Sequence, residues 1–223
     1  YSVAIFIAAV IEFPGRAMFQ IISPLVAEAL NDDDTPTLIK LLKKSANNLL
    51  LVSGLLFLLI NLNLNDFYAW VNLGDYTVAL EVVFIVSLGK LFTMSMGCLN
   101  SIITNSKYYV YVFWFSTISS VLAVILNLYL IQWYGIIGAA YATLMVIILI
   151  NFLKIILVQF RFKINPYNNK SFLSLGIILL LYLIISKISF DYDPFEALIT
   201  RSTLIILAFA IMAYLLKLTE DIQ

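Results

Sequence analysis

Apolar residues fall into seven long runs, at 2–30, 48–65, 78–103, 108–131, 135–160, 171–189 and 195–216. The runs are continuous and do not alternate with a period of two, so each predicts a helix rather than a strand. In lipid, backbone polar groups must be satisfied within their own segment or in a closed barrel. At ~20 residues per crossing, every run except the first matches a single span. The pattern predicts an all-α fold: a polytopic membrane helix bundle of about seven transmembrane helices.

The first run is too long for a straight crossing. At 1.5 Å per residue it reaches ~42 Å, against a hydrocarbon core of ~30 Å. Pro14-Gly15 lies near its middle. Proline removes one helical hydrogen bond and clashes with the preceding turn, so a kink is expected there.

The stretch 32–47 is the only substantial polar piece. Thr35-Pro36 reads as helix cap and first residue after an acidic run. Leu38, Leu41, Leu42 and Ser45 share one face, and Lys40, Lys43, Lys44 and Asn47 another. Two readings stay open for 36–46: a short interfacial helix on anionic lipid, or a solvated linker helix. Either would couple the spans on its two sides.

Composition sharpens the class. The chain is 63% hydrophobic with only 12% charged residues, and its mean hydropathy is +1.02. Soluble domains carry about 25% charged residues. Histidine is absent, which removes histidine-based triads and HExxH zinc sites. The single cysteine, Cys98, excludes an intrachain disulfide and suits packing. Tyr1 opens directly into an apolar run with no basic leader, so the chain reads as a piece of a longer protein.

Net charge is zero, so only the placement of charges informs. One side of the predicted bundle collects Lys40, Lys43, Lys44, Lys107, Arg161, Lys163, Lys170 and Lys217, with Lys154 close enough to reach it. The opposite loops, 66–77, 132–134 and 190–194, hold no lysine or arginine. The positive-inside rule makes the basic side cytoplasmic, with Tyr1 outside and Gln223 inside. Trp70, Trp133 and Tyr134 fit the outer aromatic belt, and Tyr108, Tyr109 and Tyr167 the inner one.

Charged and polar residues also lie deep within the runs. Glu12, Arg16, Gln20 and Ser23 share one face of the first span. Lys90, Thr93, Gly97, Ser101 and Thr104 form a second stripe on the third, with Asn100 at its edge. Arg16 and Lys90 sit at similar depth, ~21 Å and ~18 Å into spans of the same direction. An ionisable group there costs at least ~2.5–3.5 kcal/mol, so it needs compensation. Glu12 and Arg16, one turn apart, either neutralise each other or line a wet cavity. Glu81, nine residues before Lys90 on the same span, lies on the opposite face and cannot pair with it, so Lys90 calls for another helix, water or an anionic ligand. Ser116, Ser120, Ala123 and Asn127 line up on the fourth span. Most such small and polar residues serve packing and interhelical hydrogen bonds. Gly135, Gly138, Ala139, Ala142 and Thr143 permit close helix approach, as does Gly97.

At Asn127-Leu-Tyr-Leu-Ile-Gln-Trp-Tyr-Gly135-Ile-Ile-Gly138-Ala-Ala-Tyr-Ala-Thr143 the chain resembles the bacterial oligosaccharide flippases. These are polysaccharide biosynthesis membrane proteins of the multidrug/oligosaccharidyl-lipid/polysaccharide exporter superfamily. Gln132-Trp133 departs from the family's usual turn, while the glycine pattern is intact. Pro14-Gly15-Arg16 with Ile22-Ser23-Pro24-Leu25, and the stretch 97–109, agree as well. The likeness covers residues 1 to about 163, and beyond that only the hydropathy agrees.

The resemblance implies the C-terminal half of a two-lobe flippase, its helices 8–14. Residues 1–160 would form most of the C-terminal lobe, with 161–223 an additional helix pair and a short cytoplasmic tail. It implies transport rather than catalysis, in the bacterial cytoplasmic membrane, with no cofactor or nucleic acid. The substrate implied is a polyprenyl-diphosphate-linked oligosaccharide moved by alternating access. Arg16 and Lys90 would hold the diphosphate. Glu12, Gln20, Thr93, Asn100 and Asn127 would line the cavity or couple an ion. Implied partners are the bilayer, the lipid-linked glycan, the N-terminal lobe and a polysaccharide polymerase. A multidrug exporter of the same superfamily and a non-transporting component of polysaccharide assembly are the alternatives. The deep cations disfavour an exporter of cationic drugs.

Overall fold

A computed structural model describes residues 1–72, 77–188 and 193–218. The cation-free loops of the sequence reading fall partly at 73–76 and 190–192, outside the described residues, as does the tail 219–223. The described residues are all-helical, without strands. The helices are α1 (Ser2–Ala9), α2 (Phe13–Asn31), α3 (Thr35–Val71), α4 (Thr77–Ser95), α5 (Leu99–Asn105), α6 (Val110–Phe162), α7 (Asn169–Ile185) and α8 (Pro194–Leu215). Five helical stretches are long and apolar enough to cross a membrane, and α7 is a shorter apolar helix. The protein is a multi-pass membrane helix bundle by the length and composition of its helices.

α6 counts as two crossings. Gly135 within it has φ 56° and ψ −134°, where the chain reverses. The arms close tightly beyond the turn. A Cβ on Gly138 would lie 2.2 Å from the Leu130 carbonyl oxygen, so only glycine allows this approach. Each arm runs about 25 residues, enough to span the core. Gly135 itself, expected at a packing seam, is a turn residue: a Cβ there would meet nothing within 4 Å. Ala139 and Ala142 are buried beside the hairpin. The Ala139 carbonyl accepts from the Tyr1 and Thr143 hydroxyls, at 3.3 and 2.9 Å.

Two expectations for single elements are corrected. Residues 36–46 are not a separate interfacial helix. They are the first turns of α3, which continues for 37 residues to Val71. Leu38, Leu41 and Leu42 are buried against α2 and α5 rather than laid on lipid. Nothing in 36–60 breaks a helix: there is no internal proline, and the run is rich in leucine. The cap is Asp34, not Thr35. Its carboxylate accepts from the Thr37 amide at 3.1 Å, with Pro36 inside the first turn. Hydrogen bonds from Thr37, side chain first and backbone second, hold the Asp34 carboxyl below its ordinary range. The cap is therefore intact at neutral pH and is lost only as acid protonates that carboxyl.

The predicted third span is likewise not one helix. It breaks at Met96–Cys98 into α4 and α5, with Gly97 at φ +59°. Here the chain touches α3. Ser45, fully buried, donates to the Leu42 carbonyl and accepts the Cys98 amide at 2.9 Å.

α3 is the centre of the bundle. It packs against α2, α4, α7 and α8. Its first half joins α2, α5 and α6 in one apolar cluster, and its middle joins α7 and α8 in another. Water-driven burial is weak between lipid-embedded helices, so polar contacts contribute specificity. Asn47, fully buried on α3, donates to the Leu218 carbonyl and accepts from the Ser174 hydroxyl at 3.3 Å. Arg201 on α8 pairs with Asp66 at the far end of α3 and donates to the Leu62 carbonyl at 2.9 Å. α7 begins with a capping box. The Asn168 side chain accepts the Ser171 amide at 2.8 Å, and the Ser171 hydroxyl accepts the Asn168 amide.

Asn47→Ala strips the Leu218 carbonyl of its Asn47 donor and removes the longer of two contacts of the Ser174 hydroxyl, which keeps the Lys170 carbonyl at 2.8 Å. A loss of about 1–3 kcal/mol is expected for buried polar groups left unmatched. Thermal unfolding of the purified chain in detergent checks it, and an unchanged midpoint would contradict the role.

Candidate functional site

The polar face of the first span is built around its kink. Pro14 has no N–H to offer the Val10 carbonyl, and the helix tightens to a 3-10 turn at Val10–Glu12. The loosened Ile11 carbonyl accepts the Ser53 hydroxyl of α3 at 2.9 Å. Gly15 then brings α2 close to α4, where an added Cβ would lie 2.7 Å from the Met94 sulfur. The 3-10 turn itself packs on α4, which sets Glu12 beside Lys90.

Glu12 Oε2 and Lys90 Nζ are 3.0 Å apart. Their side chains are 24% and 22% exposed, so the pair lies at the rim of the packed bundle rather than at its centre. This resolves the alternatives left open by the sequence. Glu12 does not pair with Arg16 within its own helix. The compensation that Lys90 calls for comes from another helix. Both charges are matched across a helix contact, the arrangement expected of ionisable groups at membrane depth.

Arg16, one turn beyond Glu12, is exposed on the outer face of α2. Its guanidinium lies 5.3 Å from the Phe13 ring centroid. Among the described residues it forms no ion pair with a carboxylate. Gln20, the next turn along, is also exposed. The three deep charges thus divide into a neutralised pair and one open cation.

The other predicted residues separate. Thr93 lies one turn from Lys90, but its hydroxyl accepts the Asn151 amide of α6 at 2.9 Å and donates to the Gly89 carbonyl. It is engaged in helix joining. Asn127 donates to the Ala123 carbonyl of its own helix at 2.7 Å. Asn100 is exposed on α5, with its carbonyl accepting from Thr104. Ser23 accepts the Asn105 amide at 3.1 Å and joins α2 to α5. The polar face therefore runs from Glu12 at the 3-10 turn and Arg16 and Gln20 on α2 to Lys90 on α4. Thr93 and Asn127 are partly withdrawn from it.

Sequence reasoning overlooked Asn151 and Asn47 as joints. Both are buried amides: Asn151 is set in an apolar run, where depth alone was the available signal, and Asn47 in the polar stretch, on the face grouped with the lysines. The Asp66–Arg201 pair was legible only as two charges near one end. Comparison with known proteins adds nothing to this geometry: no family model, no curated protein and no solved structure matches the chain.

Proposed function

We propose that the protein is part of a flippase. It would carry a polyprenyl-diphosphate-linked oligosaccharide across the bacterial cytoplasmic membrane, with the basic end of the bundle facing the cytoplasm. The observation that carries the reading is Arg16: a guanidinium at membrane depth, exposed, without a carboxylate partner among the described residues. Such a group suits bidentate contact with a diphosphate. The Glu12–Lys90 pair on the same face supplies a second cation only when Glu12 releases it. Gln20 adds a neutral donor. The resemblance in the Gly135 hairpin, in 14–25 and in 97–109 supports the family, and the kinked first span suits a transporter that rocks. The N-terminal lobe and a polysaccharide polymerase are its proposed partners.

Glycan export in cells carrying the full-length protein tests this reading. Arg16→Ala is expected to lower export at least ~10-fold, the loss of one charge-assisted contact, with protein level unchanged. Arg16→Lys should restore only part. Export unaffected by Arg16→Ala would remove the diphosphate role. A gain in drug susceptibility without a glycan defect would favour the multidrug exporter.

A further inference from the structure

A cleft of about 340 Å³ lies away from the Glu12–Arg16 face, where the ends of α2 and α6 meet the turn between α5 and α6. That volume falls within the range of small-ligand sites. Lys107 and Arg161 both line it. Tyr108 stands between them. The Lys107 ammonium is 5.5 Å and the Arg161 guanidinium 5.1 Å from its ring centroid. The ring attracts each cation weakly but cannot neutralise either. Among the described residues, neither forms an ion pair. Asp33 is the carboxylate of the lining, which keeps an excess of one positive charge. Asn31 adds an amide. Leu30 and Phe162 give an apolar wall.

Two cations aimed at one cleft, with an apolar wall toward lipid, match the chemistry of a phosphate at a membrane surface. We propose that this cleft binds a phosphate group, supplied either by an anionic phospholipid head group or by a free phosphate ion. The apolar wall favours the lipid. The site is independent of the transport reading and would hold a resident lipid where α2, α5 and α6 converge. Arg161 provides two parallel N–H donors, and Lys107 a point charge beside them.

Native mass spectrometry of the delipidated chain in detergent tests the site, with phosphatidylglycerol, phosphatidylcholine and inorganic phosphate as probes. The unaltered chain is expected to hold one phosphatidylglycerol at least ~10-fold more tightly than phosphatidylcholine, since two cations contribute about fivefold each at a membrane surface. Lys107→Gln with Arg161→Gln should weaken it about 25-fold on the same arithmetic. Asp33→Asn should tighten it by removing the carboxylate. Lys40→Gln with Lys43→Gln removes the same charge outside the cleft and should leave binding unchanged. All these positions are exposed or half-exposed, and circular dichroism of each variant checks the fold. Binding of millimolar inorganic phosphate, lost in the cleft variant, would assign the site to the free ion. Lipid binding that phosphate does not displace would assign it to the head group. Equal losses in the two double variants, or equal retention of phosphatidylcholine, would overturn the proposal.

Discussion

Gly97→Ala is expected to destabilise the protein by about 2–5 kcal/mol, combining left-handed backbone strain with overpacking. Gly97 has φ +59°, a conformation that costs a side-chain-bearing residue about 1–2 kcal/mol. The larger part is steric. A Cβ there would lie 2.4 Å from the Ala46 backbone nitrogen and 2.5 Å from the Ser45 hydroxyl oxygen. A flexible side chain could swing aside, but helix backbone cannot. The α4–α5 break must then withdraw from α3, which strains the bond from the Cys98 amide to Ser45. Gly176→Ala on α7 is the internal control. It meets nothing within 4 Å in an ordinary helical position, so it should stabilise by about 0.5–1 kcal/mol. Unfolding in mixed micelles measures both. A Gly97→Ala protein within about 0.5 kcal/mol of the unaltered chain, the scatter of neutral substitutions, would refute the close contact.

Breaking the Glu12–Lys90 pair should have the next largest effect. Either Glu12→Gln or Lys90→Met leaves one charge without its partner at the rim of the bundle. Removing one member of a fully buried pair costs about 3–5 kcal/mol. With roughly a quarter of each side chain exposed, about 2–3 kcal/mol is the corresponding expectation. The double variant carries no lone charge, so its loss should fall short of the summed single losses by about 1–2 kcal/mol. Arg16→Ala provides the contrast: an exposed cation without a carboxylate partner should shift stability by less than about 0.5 kcal/mol. Additive losses at Glu12 and Lys90 would mean that the two charges do not support each other in the membrane. The same cycle separates architecture from transport, because Arg16→Ala is expected to reduce export while leaving the fold intact.

Much of the architecture was legible in the chain. Long apolar runs predict helices because lipid leaves the backbone no other economical solution, and Pro14 predicts its kink from the missing N–H alone. The reversal at Gly135 was legible from the glycine-rich pattern around it. What the pattern hid was continuity. Hydropathy drops across 32–47, which reads as a surface segment, yet once the Asp34 cap is passed helix formers continue from Leu38 into the next apolar run, and its leucines face protein. The break at Gly97 was hidden for the opposite reason. Hydropathy continues through it while the backbone does not, because close approach to α3 selects the left-handed conformation. At the candidate site, the depths of Glu12, Arg16 and Lys90 were legible but their pairing was not. Spacing places Arg16 one turn from Glu12 and hides Lys90, 78 positions away, until the helices are packed. Asn151 was hidden in the same way, since an amide in an apolar run looks alike whether it grips a neighbour or its own helix, and Asn47 was hidden by the lysines around it.

The bond from Asn47 to the Leu218 carbonyl has a consequence for biogenesis. Its donor emerges from the ribosome 171 residues before its acceptor. At ~5–20 residues per second that is an interval of about 10–30 s. Through that interval α3 is already inserted and Asn47 must find a provisional partner, whether water at the translocon, a lipid ester or another nascent helix. Closure of the bundle is therefore timed by delivery of α8. Ribosome stalling or a fusion placed just before residue 218 should leave α3 exposed to membrane quality-control proteases, even with every earlier helix in place.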